Sequence, residues 1–130
     1  MKKILALALL TLISNQTMAA CKQVDAKGTW ITYQTAFVTS LKDSHVGQCK
    51  LIVNANGAVD STKSTCQFVT FNTEQMPTGG TFKVNADCSA DINLELGSFV
   101  AQVQIAKDKN TYTGRFEAEA ISGVTNAVKQ

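Results

Sequence analysis

Residues 91–105 read DINLELGSFVAQVQI, and almost every second side chain is apolar. Ile92, Leu94 and Leu96 fall on one side of the chain, against Asp91, Asn93 and Glu95 on the other. After Gly97 the alternation resumes with Phe99, Ala101, Val103 and Ile105 inward and Gln102 and Gln104 outward. A period of two is the signature of a half-buried strand, because successive side chains leave opposite faces of a pleated backbone. The same rhythm recurs in "TFKVNA", which sets Phe82 and Val84 against Lys83 and Asn85. In "TYTGRFEAEA", Tyr112, Phe116 and Ala118 face away from Arg115, Glu117 and Glu119.

The breaks between these runs carry turn chemistry. "DCSA" and "KDKN" are short polar turns, and the Asn56-Gly57 pair in "LIVNANGAV" is a strong hairpin signal. "CQFVTFN" is a further strand, which "TEQMPTGG" ends with the only proline and a Gly pair. "GTWITYQTAFVTS" opens the series with Trp30, Thr32 and Gln34 on one face and Ile31, Tyr33 and Thr35 on the other. "LKDSHVGQ" reads as a loop, and the tail "ISGVTNAVKQ" adds a short strand after Gly123. No segment after residue 20 shows a helical period. The expectation is an all-β fold, an antiparallel meander of about eight strands closing into a small barrel, with a β-sandwich as the alternative.

The first residues follow a different logic. "MKK" is cationic, "ILALALLTLI" is apolar, and "SNQTMAA" passes from polar to small. That is the layout of a secretory signal peptide over 1–20, and its apolar run falls short of the ~20 residues a membrane span needs. Residues 21–130 are then a single domain. Without Lys2 and Lys3 the 12 basic residues fall to 10, against 10 acidic ones, so the exported chain is neutral. Neutrality, with Arg115 the sole arginine, argues against a nucleic-acid partner.

All four cysteines, Cys21, Cys49, Cys66 and Cys88, lie beyond the leader. An even count in a small exported chain reads as two disulfides, and no CxxC pair suggests zinc or thiol redox chemistry. Four cysteines allow three connectivities. Cys49 and Cys66 flank the Asn56-Gly57 hairpin, which sets Cys49 opposite Ser64, two residues short of Cys66. A bulge or splayed strand end would close that gap and leave Cys21 with Cys88. "TMAAC" also permits lipidation of Cys21, but that would strand an odd thiol, so parity favours disulfides.

The chain offers little catalytic material. His45 is the one histidine, in "KDSHVG", and its neighbours Asp43 and Ser44 do not make a triad by adjacency. Glu95, Glu117 and Glu119 sit on outward faces, and "DCSAD" lacks the ligand spacing of a calcium loop. The expectation is a non-enzymatic protein without cofactor or metal, periplasmic or extracellular. An outer-membrane lipoprotein is the alternative location. The speculative lining for a small apolar ligand is Trp30, Tyr33, Phe82, Phe99, Tyr112 and Phe116. The alternative is a structural or interaction protein of the cell envelope whose core is filled.

Two resemblances bear on this. Gly28-Thr29-Trp30 resembles the Gly-x-Trp motif that opens the first strand of calycins, the lipocalin and avidin-like barrels. In that group an arginine on the last strand packs over the tryptophan, a role the resemblance assigns to Arg115. Across nearly the whole exported chain, Cys21, "GTW", "LIVNANGAV", "GGTFKVNADCSADINL" and "SGVTNAVKQ" are similar to a family of small exported bacterial proteins of unassigned function with a "GTYTVNxDCTGT"-like core. This chain departs from it at Ser89-Ala90-Asp91 and in having Cys49 and Cys66. The family's recurring Asp-Cys implies the Cys21–Cys88 pairing.

Overall fold

The computed structural model describes residues 20–37, 44–68, 72–119 and 121–130. The expected leader therefore lies outside the described residues except for Ala20, as do residues 38–40 of the expected first strand and 41–43 of the expected loop. A short 3-10 turn, η1 (Gln23–Ala26), precedes β1 (Gly28–Phe37), β2 (Ser44–Val53), β3 (Ala58–Val59), β4 (Thr65–Phe68) and β5 (Asn72–Pro77). Then follow β6 (Gly80–Val84), β7 (Ser89–Leu94), the 3-10 turn η2 (Leu96–Ser98), β8 (Phe99–Ile105), β9 (Thr111–Ala118) and β10 (Ile121–Lys129).

Strands β1-β10-β9-β8-β7-β6-β3-β2 form a continuous antiparallel sheet, and β1 pairs back onto β2, so eight strands close into a barrel. β4 and β5 are the two extra strands. β4 runs along β2 from Gly47 to Lys50, and β5 pairs only with β4. Closure removes the open edges that an eight-stranded sheet would otherwise present.

Alternation decides which side chains fill the lumen. β8 repeats buried and exposed along its whole length, and Ile92, Leu94, Phe82, Leu51 and Trp30 are buried beside it. Neighbouring strands approach closely at three glycines, Gly80, Gly114 and Gly123. A Cβ at Gly123 would lie 2.0 Å from the Thr35 carbonyl oxygen, and one at Gly114 would lie 2.1 Å from that of Gln102. Only glycine tolerates such an approach.

Four expectations need correction. "HVGQ" is not loop: β2 begins at Ser44 and pairs with β1 through Phe37. "TEQMP" is not a break: it lies in β5, an edge strand whose proline falls at its end, where a missing N–H is harmless. The tail is not a short strand after Gly123 but the nine-residue β10, which pairs with both β9 and β1 and seals the barrel. Cys66 stands directly opposite Cys49, where a plain hairpin would have put Ser64. The return strand is interrupted by a turn at 60–64, where Ser64 N–H bonds the Asp60 carbonyl and Ser64 Oγ accepts from Ile52 N–H.

Candidate functional site

One end of the barrel is sealed. The Cys21–Cys88 disulfide ties the segment before η1 to the β6–β7 turn, and Cys21 N–H bonds the Ala86 carbonyl beside it. Cys88 holds a left-handed backbone (φ 67) in that turn, where its N–H reaches the Asn85 carbonyl. Asp87 accepts from both the N–H and the hydroxyl of Ser89, which lower its pKa; it shapes the turn. β3 is too short to pair the far half of β6. The Gln23 carboxamide takes over, donating to the Phe82 carbonyl at 2.7 Å and accepting from Val84 N–H at 3.0 Å. Nothing in the sequence marked Gln23 for this task, because its partners lie some sixty positions away.

Beneath η1 lies an aromatic plug. Trp30 stands with its ring centroid 5.5 Å from Phe82 and 5.3 Å from Tyr112, and Phe82 meets Tyr112 edge-on at 5.9 Å. Trp30 Nε1 donates to the Ala26 carbonyl at 2.8 Å, which satisfies the buried indole N–H. Lys129, on β10, places its ammonium 4.8 Å from the Trp30 ring and donates to the Asp25 carbonyl at 2.6 Å. Desolvation there lowers the Lys129 pKa. Lys109 pairs with the Asp25 carboxylate at 2.7 Å and, with the Lys22 N–H, holds the Asp25 pKa below its usual value.

The candidate lining residues divide on this geometry. Trp30, Phe82 and Tyr112 make the plug, and Phe99 and Phe116 stack on each other at 4.9 Å in the opposite half of the lumen. All five are buried. Tyr33 does not join them: it is 53% exposed on the outer face, as its neighbour Trp30 in the same strand requires. Arg115 is also outward, bonded to Gln102 Oε1 at 2.7 Å beside a shallow depression of about 490 Å³ on the β7–β9 wall. The cation over Trp30 is Lys129.

Beyond the plug the lumen wall turns polar and small. On β1, Gln34 pairs with Gly47 of β2 on one side and Thr125 of β10 on the other, with Thr32 and Ala36 one step along the same face. Gln34 is 3% exposed and Thr32 and Thr125 are fully buried. The Gln34 amide nitrogen donates to the Thr32 hydroxyl and makes a long 3.8 Å contact with Cys49 Sγ, part of the buried Cys49–Cys66 bridge. Its Oε1 has no hydrogen-bond partner. Thr125 Oγ1 faces the Tyr112 hydroxyl. Burial, opposed by the Thr125 and Thr32 hydroxyls, pushes the Tyr112 pKa up. A buried amide end without a partner costs roughly 1–3 kcal/mol. The sequence showed that Gln34 shares the Trp30 face, but an amide on a strand reads as surface, so its place was missed.

Among the described residues, no three His, Cys, Asp or Glu side chains gather as a metal site requires, and no helix is long and apolar enough to cross a membrane. Two disulfides fit an oxidising compartment. The chain was compared with protein-family models and with curated proteins, and no match was found in either.

Proposed function

We propose that this protein is an exported, non-enzymatic barrel that holds a small, largely apolar ligand in the half of its lumen beyond the aromatic plug. The observation that carries the reading is the asymmetry of that lumen. One end is filled by Trp30, Phe82 and Tyr112, whereas small residues (Ala36, Gly47, Gly123 and Thr125) surround the buried Gln34 carboxamide in the other half, which the Phe68 ring and the stacked Phe99 and Phe116 fill in part. Gly-x-Trp at the start of β1 and a cation from β10 over the tryptophan support the calycin likeness, with Lys129 where an arginine was expected. The leader and the disulfides support a periplasmic or extracellular location.

Native mass spectrometry of protein purified from its own host tests this reading. A co-purifying small molecule, released on unfolding, is expected. Repeated preparations without one, combined with no uptake of a hydrophobic dye, would count against it.

A second reading, an interaction protein of the cell envelope, draws support from the outer face of β2-β1-β10. There Val46 and Val124 flank Thr35, and Tyr33 and Val128 lie nearby; the four apolar side chains are 43–53% exposed. Chemical crosslinking in the host that captured this face would favour it over the carrier.

A further inference from the structure

Residues 20–26 cross the sealed end of the barrel and stand in for a strand. β3 lies against β6 at Gly80 and Thr81, and the Gly57 carbonyl accepts from Phe82 N–H at 2.7 Å. Past that point the same edge of β6 is served by the entry segment. The Gln23 carboxamide bonds the Phe82 carbonyl and the Val84 N–H, and Cys21 N–H bonds the Ala86 carbonyl at 3.1 Å. Further ties run to the β8–β9 turn and to β10. Lys109 donates to the Ala20 carbonyl at 3.3 Å and pairs with the Asp25 carboxylate, and Lys129 donates to the Asp25 carbonyl. The Ala26 carbonyl accepts from the Trp30 indole.

All of these ties are polar. Within the segment Cys21 and Ala26 are buried, whereas Val24 is 52% exposed, so apolar burial adds little. Fixing one backbone residue costs about as much as one hydrogen bond returns, or more, so such ties leave the segment near balance. The Cys21–Cys88 bridge, which spans 67 positions, tips that balance. The barrel itself does not need the segment to close. Its wall is sealed by β1 against β2 and β10, and the Cys49–Cys66 bridge joins β2 to β4 within it.

We propose that residues 20–26 are a redox-controlled strap, locked by the Cys21–Cys88 bridge and released as a unit when a dithiol opens that bridge while the barrel stays folded. In the exchange a thiolate of the reagent attacks the bridge and one cysteine leaves as a thiolate. The second thiolate of the reagent then displaces the other cysteine. The reagent ends as a disulfide, and Cys21 and Cys88 gain two electrons and two protons. Release uncovers the Trp30 ring and the β6 edge together, so the sealed end is the end at which access to the interior is controlled. This holds whether or not the barrel carries a ligand.

Hydrogen exchange followed by NMR tests it, because hydrogens at this end have different keepers. Val84 N–H and the Trp30 indole N–H are held by the strap, whereas Phe82 N–H is held by Gly57 of the barrel. The exported protein is compared before and after mild dithiol treatment, with alkylation and peptide mass confirming that Cys49–Cys66 remains closed. The exchange rates of Val84 and the Trp30 indole, each divided by that of Phe82, should both rise at least about tenfold, and reoxidation should restore them. Cys21→Ser with Cys88→Ser should reproduce the open pattern without reagent, and it decides the matter if the dithiol also opens Cys49–Cys66. Unchanged ratios with the bridge open would overturn the strap, since the polar ties would then suffice. All three hydrogens speeding up together would overturn it too, as would loss of the folded barrel in both the reduced protein and the double variant, because segment and barrel would then open as one.

Discussion

Lys129 holds its ammonium 4.8 Å from the centre of the Trp30 ring. The two residues also face each other in register across the β1–β10 seam, and each bonds a carbonyl of the η1 turn: Asp25 for Lys129, Ala26 for Trp30. Barrel, cation and entry segment are therefore clamped at a single point. A partly buried cation over tryptophan contributes about 1–2 kcal/mol, with a hydrogen bond of similar size beside it. Lys129→Met should destabilise the protein by about 1–3 kcal/mol in urea unfolding followed by Trp30 fluorescence. Lys129→Arg should recover most of the loss, because a guanidinium keeps both the cation and the donor. Equal stability of all three proteins would show that the clamp is ornamental.

The two disulfides should open in a defined order. Cys49 and Cys66 are each 1% exposed inside the barrel, whereas Cys88 is only partly buried in its turn. Under mild reductant, alkylation read by peptide mass should label Cys21 and Cys88 first, and Cys49 and Cys66 only when the barrel unfolds. Cys88→Ser removes a bridge that spans 67 positions. The chain-entropy model puts that loss at roughly 4 kcal/mol, though its mechanism is model-dependent. Prior labelling of Cys49 or Cys66 would contradict the burial argument.

Alkali should act through Tyr112. Its folded pKa is raised above the ordinary 10.0, chiefly by desolvation, so the folded state keeps a proton that the unfolded state releases. Stability from this group is intact below pH 10.0 and declines as pH climbs past that value. Tyr112→Phe should flatten the decline, measured as urea midpoint against pH. An unchanged slope would place the alkaline sensitivity elsewhere.

Acid should act through Asp25, in the opposite sense. Lys109 and the Lys22 N–H hold its folded pKa below 3.8, so its contribution is present above that value and is lost as pH falls through the lowered folded one. Asp25→Asn should weaken the protein at neutral pH and lose part of the acid dependence. Hydrogen exchange at the Asp25 and Lys27 amides would report whether η1 loosens first.

Gln34 should trade stability for its site. Replacing it together with its partner, as Thr32→Val with Gln34→Leu, removes an unpartnered amide end without orphaning the hydroxyl. Such paired replacements are neutral to stabilising, so a gain of up to about 2 kcal/mol is expected. A clear loss of stability would mean that the amide is better satisfied than its geometry indicates.

How much of this was legible beforehand depended on whether alternation and hydrophobicity agreed. They agree in β7 and β8, where each inward position is an aliphatic or aromatic side chain or an alanine, and both strands were plain. They disagree in β10. Its lumen positions are Gly123, Thr125 and Ala127, while Val124 and Val128 lie outside, so the seam strand reads as a tail. Gln34 was hidden in the same way, a polar residue where an aliphatic one would have signalled the interior. Arg115 was assigned to the tryptophan because it is the sole arginine. The cation that reaches Trp30 is the one on the strand beside it, and strand neighbours are a property of closure that periodicity does not reveal. Pairing of Cys49 with Cys66 was foreshadowed by the hairpin, but the turn at 60–64 that brings them level was not.

The β1–β10 seam also dictates a schedule. Until residues 121–129 arrive, the chain is an unclosed ribbon, with β1 exposed along one margin and β9 along the other. Each margin is a template for a neighbouring molecule, so a polypeptide halted midway through synthesis or passage across a membrane invites clumping or proteolytic destruction. Survival then hinges on how soon the final ribbon follows the rest.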